Sequence, residues 1–216
     1  MQNVTKGSTK MMIKKKVVIS CIGFVALVLI ILSIAVELEA SPSKETLFPE
    51  GQQHALIIFH PSWKYHFQQE LTAAFASGLH SAGWAVDRIT TSSKNLTEFD
   101  RYDLYVFGTN TYYWSPDRPT KRFLSEVNLK GRPSVGLVSG IGFTERSERI
   151  MKDLMIKAKA SSVDIFSFSL LRPTQNSLIP ISNRQVALDS AYQDGLKTGR
   201  EMTRSQRLVQ PEMSPD

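Results

Sequence analysis

From residue 54 onward the chain switches repeatedly between two hydrophobic periods. Residues 55–59, Ala-Leu-Ile-Ile-Phe, form an unbroken apolar run, as expected of a strand covered on both faces. Phe67, Leu71, Ala74, Phe75, Gly78 and Leu79 then recur on one helical face, and Gly83 ends that helix. Further apolar runs predict strands at 84–89, 102–107, 133–138 and 163–170. Between them, residues 118–127 predict a short helix, and Ile150, Met151, Leu154, Met155 and Ala158 stripe another. A last helix is predicted to begin near Asn183, with Leu188, Ala191, Tyr192 and Leu196 inward. This alternation predicts an α/β domain over 54–203, a three-layer, doubly wound, five-stranded parallel sheet with right-handed crossovers. Residues 204–216, with Pro211 and Pro215, read as a flexible polar tail.

Upstream of the domain the pattern changes. Residues 17–36 carry no charge and, as a helix, are long enough to cross a hydrocarbon core of ~30 Å. Five lysines lie in the tail 1–16, whereas Glu37 and Glu39 follow the run. The positive-inside bias predicts a single-pass transmembrane signal anchor with its N-terminus in the cytoplasm and the globular domain across the membrane. A cleaved signal peptide is the rival reading, but its apolar core of roughly 7–15 residues is shorter than this run. Residues 37–53, with Pro42, Pro49 and Gly51, read as a linker that holds the domain near the bilayer.

Charge and cysteine usage narrow the picture. The 216 residues carry a net charge of +6, of which +3 falls within residues 1–40. The rest is a mildly basic, mixed surface without a dense Lys/Arg stripe, which argues against nucleic-acid binding. Cys21, the single cysteine, lies inside the apolar run, so the domain has no disulfide and stands on its core alone.

In open α/β sheets ligands bind beyond the C-terminal strand ends, near the switch in strand order. Three loops qualify. After the third strand, Gly108-Thr109-Asn110-Thr111 reads as a turn whose polar groups can hydrogen-bond the edge of a planar ligand. Tyr112, Tyr113 and Trp114 can stack on such a ligand. After the fourth strand, Ser139-Gly140-Ile141-Gly142-Phe143 lets backbone approach closely. After the first strand, Ser62, Lys64 and His66 can hold a phosphate at a helix N-terminus, although Pro61 removes an N–H donor. The plain alternative is that these aromatics only cover the sheet end. Gly140 and Gly142 make half a dinucleotide fingerprint without the third glycine, which argues against an NAD site. The four histidines form no metal-ligand spacing, and no G-x-S-x-G elbow is present.

The strand order, Phe107-Gly108-Thr109…Thr111-Tyr112 and Ser139-Gly140-Ile141-Gly142-Phe143 resemble the flavodoxin-like family over residues 54–203. His60-Pro61 looks like the quinone-reductase branch of that group, and the phosphate loop departs from the family's Ser/Thr-rich pattern. The resemblance implies FMN, with its phosphate at Ser62, Lys64 and His66. Its ring would lie between Thr109, Asn110, Thr111, Tyr112 and Tyr113 on one side and Ser139, Gly140 and Gly142 on the other. It further implies an FMN-dependent oxidoreductase passing electrons to a quinone or redox protein near the membrane. The rival, motivated by the divergent phosphate loop, is a non-catalytic binding or scaffold module that has lost its flavin.

Overall fold

The computed structural model describes residues 17–31, 38, 40–61, 66–93, 99–170 and 183–209, with side chains in the last helix described as far as Ser205. The chain divides into two units, Met1–Leu38 and Glu39–Asp216. In the first, residues 17–31 form helix α1, whose apolar side chains are exposed along its length. Among the described residues no helix is long and apolar enough to cross a membrane. The predicted spanning segment is thus seen as helix only over 17–31, and residues 32–36 lie outside the described residues.

The second unit runs β1 (Lys44–Phe48), β2 (Gln53–Phe59), α2 (Phe67–Ser81), β3 (Trp84–Thr90), β4 (Leu104–Tyr112), β5 (Ser115–Pro116), α3 (Arg118–Glu126), β6 (Ser134–Gly140), α4 (Glu145–Lys157), β7 (Val163–Ser169) and α5 (Asn183–Val209). The sheet order is β1-β3-β2-β4-β6-β7, with β5 paired to β4. The five predicted strands are the parallel ones, β2, β3, β4, β6 and β7. One face packs on α2 and α5 through Phe67, Leu71, Phe75, Ala187 and Ala191. The other packs on α3 and α4 through Phe123, Leu124, Met151 and Met155.

Among the described residues the sheet has seven strands rather than the expected five. β1 lies inside the stretch read as a linker and pairs antiparallel with β3. Its sequence, KETLF, has no apolar run, and what holds it is cross-strand chemistry. Glu45 lies opposite Arg88 and accepts from its Nη2 at 2.7 Å. Thr46 lies opposite Asp87 and donates to it at 2.7 Å. The partners point to opposite faces of β3, so β1 pairs the Arg88 charge, hydrogen-bonds the Asp87 carboxylate and covers the edge of β3. α5 likewise continues to Val209, beyond the expected start of the tail at 204, because nothing stops a helix before Pro211.

Asp87 also accepts from Tyr102 Oη and Arg101 Nη2, both at 2.6 Å. Burial works against its carboxylate, but the hydrogen bonds from Tyr102, Thr46 and Arg101 outweigh it and hold Asp87 below its ordinary pKa. The converse holds for the tyrosines. Burial, with the bond to Asp87, pushes Tyr102 up to about 12, and burial with the charge of Asp100 pushes Tyr105 to about 12. Both folded values lie above the unfolded one of about 10. Their stabilising contribution is therefore complete below about pH 10 and is lost as pH rises toward about 12. Denaturant midpoints measured across this window are expected to fall steadily, and less steeply in Tyr102→Phe. A flat profile would contradict the burial argument.

α2 and α5 cross on small residues. A Cβ on Gly78 would sit 2.1 Å from Tyr192 O, and one on Gly195 would sit 2.2 Å from Phe75 O. The Trp84 indole N–H donates to Gly199 O at 3.1 Å beside the crossing. The inward face of α5 is therefore Ala187, Ala191, Gly195 and Gly199, while Leu188, Tyr192 and Leu196 are only half-buried. The apolar period rightly picked Ala191 but gave weight to large side chains, whereas close backbone approach favours small ones.

Candidate functional site

At the C-terminal ends of β2, β4 and β6 the chain builds a polar network, then an aromatic hairpin. The Gly108-Thr109-Asn110-Thr111 stretch, expected as a turn, is a continuation of β4. Gly108 is needed for packing, since a Cβ there would meet Gln68 Nε2 at 2.4 Å and Thr72 Cγ2 at 2.9 Å. The turn itself is Tyr113-Trp114, between the paired residues Tyr112 and Ser115. Both turn residues have left-handed backbone, with φ of 50° and 58°. Asn-Gly suits that geometry, and two bulky aromatics there are strained, a condition that clusters at binding sites. The hairpin holds both rings outward, 67 % and 60 % exposed.

Beneath the hairpin lies Asp117, a fully buried carboxylate that caps α3. One oxygen accepts from Thr120 N–H at 2.8 Å, and the other accepts from Thr109 Oγ1 at 2.8 Å and from Asn110 N–H at 2.9 Å. The Asn110 amide bridges strands, donating to His60 O at 3.1 Å and accepting from Ser139 Oγ at 3.3 Å. Thr109, Asn110 and Ser139 are thus brought together, but their side chains are engaged with one another and with Asp117. Asp117 escaped the sequence reading, although Asp followed closely by Pro119 is a helix-start signal.

Among the described residues, Thr111 Oγ1 near the end of β4 and His60 Nδ1 after β2 are buried polar atoms without a partner, as are Thr91 Oγ1 and Ser92 Oγ after β3. Such atoms are rare and point to a missing ligand or water. Gly140 is packed from within, since a Cβ there would lie 2.8 Å from Thr144 Cγ2 and 3.4 Å from Thr111 Cβ. Nothing stands within 4 Å of a Cβ built on Gly142, so that loop is open above. His66 is the N-cap of α2, left-handed at φ 48° and without a side-chain capping bond. Glu70 in the first turn of α2 is charge-balanced by Arg184, whose Nε donates to it at 2.8 Å. By contrast the first turn of α4 carries two acids, Glu145 and Glu148, and is a poor place for an anion. Tyr112 is half-buried in the hairpin, while Ser62 and Lys64 lie outside the described residues.

Solved structures similar to this chain share this architecture. An NAD(P)H:quinone oxidoreductase from Methanothermobacter marburgensis is 18% identical, with 67% of this chain and 95% of that chain covered at a TM-score of 0.53. A flavodoxin from the domain Archaea is 15% identical, with coverage of 70% and 99% at 0.53. The fold is flavodoxin-like. An FMN-dependent NADH-azoreductase from Bacillus anthracis, in complex with FMN, shares the fold at 10% identity, with coverage of 68% and 100% at a TM-score of 0.52. No family model matches the chain, and no curated protein matches it in sequence. In open α/β sheets ligands bind where the strand order reverses, which here falls between the C-terminal ends of β2 and β4. His60 and His66 lie between β2 and α2, Thr111 lies near the end of β4, and the aromatic hairpin follows it.

Proposed function

We propose that the chain binds FMN at the ends of β2, β4 and β6 and passes electrons to a quinone or a redox protein, held at a membrane by residues 17–36. The observation that carries the reading is the buried, partnerless hydroxyl of Thr111 beside an outward-facing aromatic hairpin. A hydroxyl in that state fits a heteroatom at the edge of a flat ring. The similar azoreductase fold, which holds FMN, supports the choice of group.

When bound, FMN supplies the hydride and electron transfer. The chain supplies position and surroundings. Thr111 would meet the ring edge, and Tyr113 and Trp114 would cover ring faces and exclude water. Thr109, Asn110 and Ser139 act as positioning residues, because their side chains tie β2, β4 and β6 together rather than facing outward. For the phosphate, Pro61 withholds a backbone donor, so Ser62, Lys64, His66 and the uncapped N-terminus of α2 would bind mainly through charge and dipole. The lysine-rich tail before residue 17 and the glutamates after the apolar run support an extracytoplasmic domain on a retained anchor.

Thr111→Val tests the assignment with little change in shape. Removing one buried hydrogen bond to the ligand is expected to weaken FMN binding by about tenfold, with Thr111→Ser close to the parent. Equal affinity in all three chains would remove Thr111 from the site.

A further inference from the structure

We propose that β1 is a detachable strap whose docking on β3 fixes the first turn of α2. That turn is the end to which the proposed function brings the ligand's phosphate, so the strap regulates that end of the site. The coupling rests on hydrogen bonds of the domain itself, and only the identity of the ligand rests on the proposed function.

Arg88 of β3 joins the two elements. Its Nη2 donates to Glu45 of β1 at 2.7 Å, and its Nη1 donates to Gln69 O in the first turn of α2 at 3.0 Å. Nη1 also reaches Thr72 Oγ1 at 3.4 Å, and the guanidinium lies 5.2 Å from the centre of the Phe59 ring. The Arg88 side chain is 8 % exposed, whereas that of Glu45 is 55 % exposed. A guanidinium so deeply placed depends on its counter-ion. With Glu45 withdrawn, the charge is left buried and unpaired, and the side chain turns toward water and releases Gln69 O. The same turn is also held by Arg184 on Glu70 and by Gln68 on Leu137 O, neither of which involves β1. His66, the N-cap, adds no side-chain bond. One tie of this turn therefore runs through β1.

The build of β1 lets it open from its first residues. Lys44, Glu45 and Thr46 are exposed, and the register shifts between Thr46 and Phe48. Beyond the shift, Leu47 and Phe48 are half-buried against the core, with Phe48 stacked on His80 at 4.3 Å between ring centres. Before it the contacts are polar. They are the Glu45–Arg88 pair, the bond from Thr46 to Asp87 at 2.7 Å, and the bonds of Ser41 and Ser43 with Thr90 and Ser93. An outer segment with exposed backbone and few apolar contacts belongs to the least stable part of a domain. Its two central contacts also lie on opposite faces of the sheet, since Glu45 and Thr46 are consecutive.

Hydrogen exchange of the full chain reads both elements at once. Glu45→Gln is expected to speed exchange in β1 and in residues 70–73 together, by about fivefold, the upper end for a half-exposed ion pair. Thr46→Val loosens β1 through Asp87, on the face that α2 does not touch, so a rise at residues 70–73 in that variant comes through the strap. High salt screens the half-exposed Glu45 and is expected to speed both elements in the parent, with little further effect in Glu45→Gln. Exchange in α4 should keep the parent rate throughout. Faster exchange in β1 of Thr46→Val, with residues 70–73 unchanged, would overturn the coupling. Unchanged β1 in both variants would overturn the strap itself. Should α4 also speed up, the variants are unfolding as a whole and the salt response of the parent decides. Both elements must then respond without α4, and any other pattern overturns the proposal. Flavin titration of the same chains reads the proposed function separately, because the coupled exchange is measured without ligand.

Discussion

Gly195→Ala is expected to destabilise the folded chain by about 3 kcal/mol, the upper part of the ordinary range for overpacking. The sign is the informative part, because glycine to alanine inside an unobstructed helix stabilises by about 1 kcal/mol. Here the new methyl would sit 2.2 Å from Phe75 O and 3.1 Å from Phe75 Cα. Those are backbone atoms, so no side chain can swing aside, and α2 and α5 must separate. Separation would loosen the contacts of Ala187 and Ala191 and the Trp84–Gly199 bond. Gly78→Ala meets the same obstacle from the other helix, with Tyr192 O at 2.1 Å and Gly195 C at 3.0 Å. Once one methyl has opened the crossing, the second has less to displace. The double variant should therefore lose less than the sum of the singles. Denaturant unfolding of the three chains measures both quantities, and additive losses would argue against a shared crossing.

Asp117→Ala is expected to remove about 3–5 kcal/mol, since three donors lose a buried charged acceptor at once. Asn110 N–H and Thr120 N–H would lose this acceptor, Thr109 Oγ1 would be left with its longer bond to Asn110 O at 3.3 Å, and α3 would lose its cap. Asp117→Asn keeps the shape and one acceptor oxygen, and its loss should be smaller, at about 1–2 kcal/mol. The pair separates electrostatics from packing. Because Asn110 also bridges to His60 and Ser139, the damage should spread to the crevice. Hydrogen exchange would report this as faster opening at residues 108–112 in Asp117→Asn than in the parent. Unchanged exchange there would mean that Asp117 serves α3 alone.

The parts of the fold that could be read from the chain are those whose stability is local or fully buried. β2 and the core of β4 are continuous apolar runs because both faces are covered, and the stripe from Phe67 to Leu79 follows the helical period. β1 was invisible for the opposite reason. Its five residues are held by Arg88 and Asp87, some forty positions away in the chain, and no local pattern announces that pairing. In the site, Gly108 and Asn110 carry ordinary turn chemistry, so strand was masked by composition, and the turn fell on two aromatics that rarely occupy one. Thr111 and Tyr113 were legible only as residue types able to meet a ligand. The engagement of Thr109, Asn110 and Ser139 with one another was not, because it depends on the register between β4 and β6.

These observations converge on a flavodoxin-like fold whose strand ends carry, among the described residues, a buried hydroxyl without a partner and two outward aromatic rings. The most direct measurement is a titration of the full chain, in mild detergent, with FMN followed by flavin fluorescence. The account predicts saturable quenching in the micromolar range, about −8 kcal/mol of binding free energy. Fluorescence that stays linear in added FMN, from chain shown to be folded by its buried Trp84, would contradict it and leave a flavodoxin-like scaffold without a flavin.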